Sequence, residues 1–327
     1  MNKMKQLRTF GLAAAFCALN PIMSSAETWN LPNAYPDNNF QTENLRWFAD
    51  EVAKATKGEL TFVVHSGASM FKMAELKRAV RTGQVPIAEF ILSSFGNEDA
   101  MYEADSVPFL AVGQTEAMKL YKIQAPMLKK RFDKEGLIAL YSVPWPGNSL
   151  FTQIPVDSFE AFRGMKMRGQ TPAVARLVEL LGAVPVNVQF VEIPQAFQTG
   201  VVTGMFTAGT TGVDTQAWDY CRYFYDTAGY SPRDVVAVNA KAWGKLPEAI
   251  RKAVTEVAKR AETRGWKLAA NLEVDARKVL TQHGIKVIDP SNEMMAQFRK
   301  VGDQMIAEWV KRAGPDGDEL VRRMREK

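Results

Sequence analysis

Arg168 is the residue of this sequence best placed to do chemistry on a small molecule. It closes the run Met165-Lys166-Met167-Arg168, whose period-two alternation puts the methionines on one face of a strand and Lys166 and Arg168 on the other. Thr171-Pro172 follows at once, an N-cap and first-turn proline that start a helix running through Leu181 to Gly182. Open α/β sheets bind anions at such places, where a strand ends and a helix N-terminus turns its N–H groups outward. The planar guanidinium adds two parallel charge-assisted hydrogen bonds to a carboxylate, a geometry lysine cannot reproduce. The chemistry this allows is the binding of an anion.

Catalysis needs more than one such group, and no further set assembles. The two histidines, His65 and His283, lie far apart and have no ligand partner at metal spacing. His65 ends a strand and reads as a polar loop residue, while His283 precedes a helix-ending glycine and reads as a partner of the last helical carbonyls. Gly67-Ala68-Ser69-Met70-Phe71 starts like a nucleophile elbow but lacks its final glycine. There is no phosphate-cradling glycine loop, and Glu98-Asp99 reads as solvated surface. No cofactor, metal or enzymatic activity is therefore expected. The basic runs Lys129-Lys130-Arg131 and Arg322-Arg323 are short and have acidic neighbours, so no nucleic-acid partner is expected either.

The elements that must position Arg168 come from a chain of 327 residues, long enough for two domains. Its first residues are an address: Lys3, Lys5 and Arg8 without an acid, an apolar stretch to about Met23, then Ser24-Ser25-Ala26. Cleavage is expected after Ala26, with delivery to the periplasm. It removes three of the 41 basic residues and none of the 36 acidic ones, so the net charge falls from +5 to +2 and 327 less 26 leaves 301 residues. Cys17 leaves with the leader, and Cys221 stays behind as a buried, unpaired residue. Downstream, β-rich runs (28–31, 60–64, 84–92, 137–143, 165–168, around 205–206, 285–288) alternate with amphipathic helices (42–56, 72–82, 116–134, 171–181, 194–199), the pattern of an α/β fold. From Leu246 to Gln282 the helical pattern is nearly continuous, too long to lie across one small domain, and Pro290-Ser291 starts a final long helix to about Ala313.

The whole span after the leader resembles the substrate-binding proteins of TRAP (tripartite ATP-independent periplasmic) transporters, of the dicarboxylate-receptor type. The residues that carry the resemblance are Phe48 to Leu60 (FADEVAKATKGEL), Glu75 to Gly83 (ELKRAVRTG), Val107-Pro108-Phe109-Leu110, Phe159 to Arg168 (FEAFRGMKMR), Ile193 to Gly204 (IPQAFQTGVVTG) and Leu246-Pro247-Glu248-Ala249-Ile250. The resemblance implies a two-lobed α/β periplasmic binding protein with the ligand cleft between lobes and the long helix spanning both. Lobe I is expected over 27–145 plus about 234–265, and lobe II over 146–233 plus about 266–327, with helix 246–282 shared. It implies that Arg168 holds a ligand carboxylate, and that a receptor expected to be monomeric hands this solute to the permease subunits in the membrane.

Where the family's acid-binding members place a second arginine, this sequence has Asn148, and Thr207 stands at another polar position. Phe190 falls where the family sets a ring against the ligand, and Trp145 and Phe206 stand at strand ends nearby. Asn33 and Ser94 are further polar candidates, and Glu89, in an apolar strand, needs a partner if buried. One cation among rings points to a monocarboxylate with an apolar or aromatic body, such as a 2-oxo or 2-hydroxy acid. The alternatives are a C4-dicarboxylate and, from another class, an exported α/β enzyme in which Arg168 only orients its substrate.

Overall fold

A computed structural model describes residues 26–326; the leader, and with it the expected cleavage site and Cys17, lies outside the described residues apart from Ala26. The first lobe is built from β1 (Glu27–Pro32), α1 (Phe40–Ala55), β2 (Leu60–His65), α2 (Met73–Thr82), β3 (Ile87–Ile91), α3 (Gly113–Glu135) and β4 (Leu137–Pro144). The chain then crosses to a second lobe made of β5 (Asn148–Thr152), β6 (Lys166–Arg168), α4 (Pro172–Leu180), β7 (Val184–Val186), α5 (Ile193–Gln198), β8 (Gly204–Ala208), α6 (Gly209–Asp214) and β9 (Tyr223–Tyr225). It returns through β10 (Arg233–Asn239) and α7 (Ala240–Lys245), and continues into α8 (Glu248–Gln282), β11 (Lys286–Ile288), α9 (Asn292–Ala313) and α10 (Pro315–Arg325).

Local chemistry accounts for the boundaries near the cleft. Asn39 starts α1 two residues before the expected Thr42 because its Oδ1 accepts from the Gln41 N–H at 3.0 Å. Thr171 Oγ1 accepts from the Val174 N–H at 3.3 Å and Pro172 takes the first turn, so α4 begins four residues after Arg168. In the first lobe β1 and β2 pair in parallel, and β10 lies between β3 and β4, antiparallel to both. The second lobe is one six-stranded sheet in the order β11-β9-β5-β8-β6-β7, with β5 alone running against its neighbours.

Two extended segments cross between the lobes side by side, tied by backbone bonds from Trp145 N–H to Pro232 O and from Asn148 N–H to Tyr230 O, each 2.8 Å. The third connection is α8. Its 35 residues, about 52 Å at 1.5 Å per residue, pack first on α1 and β4 and then on α6 and β11, so the helix is shared by both lobes. At Gly265 the approach to β4 is so close that a Cβ would collide with both methyls of Val143. Among the described residues no helix is long and apolar enough to cross a membrane.

The C-terminal segment departs from the expected boundary. The helix ending at Ala313 is not the last: Gly314 breaks the backbone and α10 follows, packed on α3 of the first lobe through Arg131–Asp316 (2.8 Å) and Lys119 Nζ donating to Met324 O (2.9 Å). α9 straddles both lobes, with Trp309 Nε1 donating to Ala100 O at 2.7 Å on one side and Glu308 pairing with Arg176 of α4 on the other. The buried Leu320 and Val321 explain the docking: this short amphipathic helix has an apolar face that needs cover.

Candidate functional site

The segments that cross between the lobes form the floor of a cavity of about 480 Å³. Arg168, at the C-terminal end of β6, lines it from the second lobe. Its guanidinium is buried, Nε donates to the Val188 carbonyl at 2.9 Å, and among the described residues no carboxylate lies within ion-pair distance. Burial pushes its pKa down to about 10, the mark of a cation taken out of water without a counter-charge. It is the one basic side chain among the described residues that line the cavity. Asn148 and Thr207 line it from the adjoining strands β5 and β8, in registers fixed by the pairs Asn148↔Ala208 and Ser149↔Thr207.

Three rings wall the cavity. Trp145, at the exit of β4, lies 5.1 Å from Tyr35 edge to face. Phe190, on a short 3₁₀ turn of the second lobe, reaches across to Tyr35 at 5.6 Å and Trp145 at 6.2 Å. A second bridge across the cleft runs from Asn39 Nδ2 to Asp214 Oδ2 at 2.7 Å. These contacts hold the lobes closed over the cavity.

Arg168, Asn148, Trp145, Phe190, Thr207 and Ser94 therefore converge on one cavity. Asn33 and Phe206 do not. The Asn33 amide is buried behind the wall, donating to Thr42 Oγ1 at 2.8 Å and to Glu89 Oε2 at 2.9 Å, which supplies the partner that buried Glu89 requires. Phe206 alternates with Thr207 along β8; since Thr207 faces the cavity, Phe206 must face the opposite core, where it meets Phe298 at 6.0 Å. His283 caps α8 but stacks on Trp218 at 3.9 Å. Glu98 and Asp99 are ion-paired to Lys77 and Arg131 at 2.7 Å each, and Cys221 is buried with its thiol pKa pushed up by that burial. Tyr35 and Gln170 also line the cavity; the candidate Asn33 stands two residues before Tyr35, because the residue after β1 turns inward.

Two carboxyl groups lie behind the rings on the first-lobe sheet. Asp234 accepts from Tyr35 Oη at 2.9 Å and from Trp145 Nε1 at 2.5 Å. Burial and nearby Glu89 push its pKa up, and burial pushes Glu89 up to about 7. Asp214, at the cleft bridge, is also raised to about 7, chiefly by burial. A folded state with raised carboxyl pKa values holds protons that the unfolded chain releases above about pH 4.5, so stability must fall as pH rises from about 5 to 7. The ligand-free protein is expected to melt at a higher temperature at pH 5.5 than at pH 7.5, the free energy changing by at most about 1.4 kcal/mol per pH unit for each such group. Glu89→Gln should flatten that slope. A midpoint that rises between pH 5.5 and 7.5 contradicts the assignment.

Comparison with known proteins places this geometry. Residues 33–312 match the family described as "Bacterial extracellular solute-binding protein, family 7" (DctP). Among solved structures, DctP7 of Bordetella pertussis, an extracytoplasmic solute receptor binding pyroglutamic acid, is 39% identical, with 92% of this chain and 100% of that one covered and a TM-score of 0.91. DctP6 of the same organism, also a receptor binding pyroglutamic acid, is 38% identical over 92% of this chain and 100% of its own, TM-score 0.90. A TRAP solute-binding protein from a marine metagenome, specific for pyroglutamate, is 32% identical over 93% and 100%, TM-score 0.91.

Proposed function

This chain belongs to the bacterial extracellular solute-binding protein family 7, the solute receptors of TRAP transporters, and from that premise we propose that it is a periplasmic receptor for pyroglutamate or a similarly compact monocarboxylate. The observation that carries the reading is Arg168: a buried cation without a protein counter-ion, facing a cavity whose other described lining residues are neutral. A carboxylate there removes the cost of the unpaired charge, which no neutral solute can do. Asn148 and Thr207 give the same carboxylate neutral partners beside the guanidinium. The rings of Trp145, Tyr35 and Phe190 suit a flat or apolar body, and a cavity of about 480 Å³ lies in the range of small-molecule sites. A C4-dicarboxylate fits less well, since its second charge meets no second cation. Because Phe190 touches rings of the other lobe, closure over the solute covers it from both sides, the form a permease would receive.

The test is titration calorimetry and thermal unfolding on protein stripped of solute by unfolding and refolding. Pyroglutamate at about 100 times Kd should stabilise the protein by about 2.7 kcal/mol and be recovered unchanged, while succinate gives no comparable shift. A response to succinate but not to pyroglutamate, or chemical turnover of the acid, would sink the reading.

A further inference from the structure

Strand β10 carries two charged residues side by side, and alternation sends them to opposite faces of the sheet. Arg233 turns away from the cleft to Asp105 and Gln124. Asp234 turns toward the cleft and has no basic partner among the described residues. What it has are the polar hydrogens of two cavity-lining rings: Tyr35 Oη donates to Oδ1 at 2.9 Å and to Oδ2 at 3.2 Å, and Trp145 Nε1 donates to Oδ2. The other acid behind the wall, Glu89, receives a single donor, the Asn33 amide. Asp234 thus takes hydrogens from two rings where Glu89 takes one from an amide, and its oxygens fix which way the Tyr35 hydroxyl and the Trp145 N–H point.

This arrangement fixes what the wall can offer a solute. The Tyr35 hydroxyl hydrogen and the Trp145 N–H are both committed to Asp234. Toward the cavity Trp145 can present only its ring, and Tyr35 only its ring and an oxygen that can accept but not donate. A solute group meeting that oxygen must bring its own hydrogen, and a second carboxylate there would meet only lone pairs.

We propose that Asp234 is a positioning residue for solute specificity: by holding Tyr35 as an acceptor, it selects a monocarboxylate that carries an N–H or O–H donor and rejects a dicarboxylate. The inference rests on the pyroglutamate reading, in which the lactam N–H is that donor.

Three probes separate the possibilities by calorimetry: pyroglutamate, its lactone analogue 5-oxotetrahydrofuran-2-carboxylate, which replaces the ring N–H by oxygen, and glutarate. The wild-type protein should bind the lactam at least about tenfold more tightly than the lactone, the ratio expected when a buried acceptor loses its donor. Tyr35→Phe should abolish that preference by weakening the lactam alone. Asp234→Leu, which frees the Tyr35 hydroxyl hydrogen to turn toward the solute, should narrow the gap between lactam and glutarate by about tenfold. These are ratios within one protein, so a general loss of stability leaves them unmoved. If Asp234→Leu does not fold, the wild-type ratio and Tyr35→Phe still decide. Equal binding of lactam and lactone by the wild type, or ratios unchanged in the variants, overturns this inference and leaves the receptor reading intact. Failure of the wild type to bind any of the three sinks both.

Discussion

Arg168→Ala is expected to take solute binding below detection by calorimetry while leaving the solute-free protein at least as stable as the wild type. The two halves of the prediction share one cause. The guanidinium is held in the wall with a single hydrogen bond to the Val188 carbonyl and no carboxylate nearby, and its lowered pKa shows that burial already works against its charge. Removing it from the solute-free protein therefore deletes an uncompensated charge as well as some packing. Removing it from the complex leaves the solute's carboxylate buried without a partner, a loss on the order of 2–5 kcal/mol, or about 30-fold to several thousand-fold in affinity. Arg168→Lys should fall between, because an ammonium keeps the charge but not the paired N–H geometry. A structural role predicts the opposite pattern, a lowered melting midpoint with affinity nearly kept, and that result would remove Arg168 from the site.

How far the sequence leads can be judged at the same strand. Arg168 is legible because three local signals coincide there: alternation over four residues, the Thr171-Pro172 start of a helix, and the run Phe159 to Arg168 that carries the family resemblance. Phe206 and Thr207 are both cleft candidates from the sequence, yet β8 turns only Thr207 to the cavity, since a strand of five buried residues shows no polar face from which to read its phase. Strand β10 is also buried along its whole length and opens with Arg-Asp, which resembles a loop until its two neighbours are known. Its importance is non-local: Arg233 meets Asp105, 128 residues away, and Asp234 meets Tyr35, 199 residues away. The same holds for α10, whose partner α3 lies some two hundred residues earlier. Local propensity fixes which segments are helix or strand, while the pairing that turns a side chain toward the cleft or away from it is set by tertiary contacts that no window of sequence contains.

Arg233 supplies the largest expected effect on stability. Its side chain and that of Asp105 are almost wholly buried, 3.3 Å apart between Nη2 and Oδ2. The Arg233 backbone N–H also donates to Asp105 at 3.1 Å, Nη2 donates to Gln124 Oε1, and the guanidinium lies 5.0 Å from the centre of the Tyr121 ring. Arg233→Leu should cost about 3–5 kcal/mol at pH 7.5, because it leaves Asp105 buried and unpaired. Burial already raises the Asp105 pKa to about 6 against the pull of Arg233, and without that pull it must rise further. The folded variant would then hold a proton that the unfolded chain releases above about pH 4, so its penalty should grow with rising pH and shrink toward pH 5. Replacing both partners, Arg233→Leu with Asp105→Leu, removes the stranded charge and should recover most of the loss. Urea unfolding of the three proteins at pH 5.5 and 7.5 checks the argument; a small, pH-independent loss in the single variant contradicts it. Since Arg233 faces away from the cleft and Asp234 toward it, the double variant should also bind solute with nearly wild-type affinity, which separates the strand's role as scaffold from its role in the site.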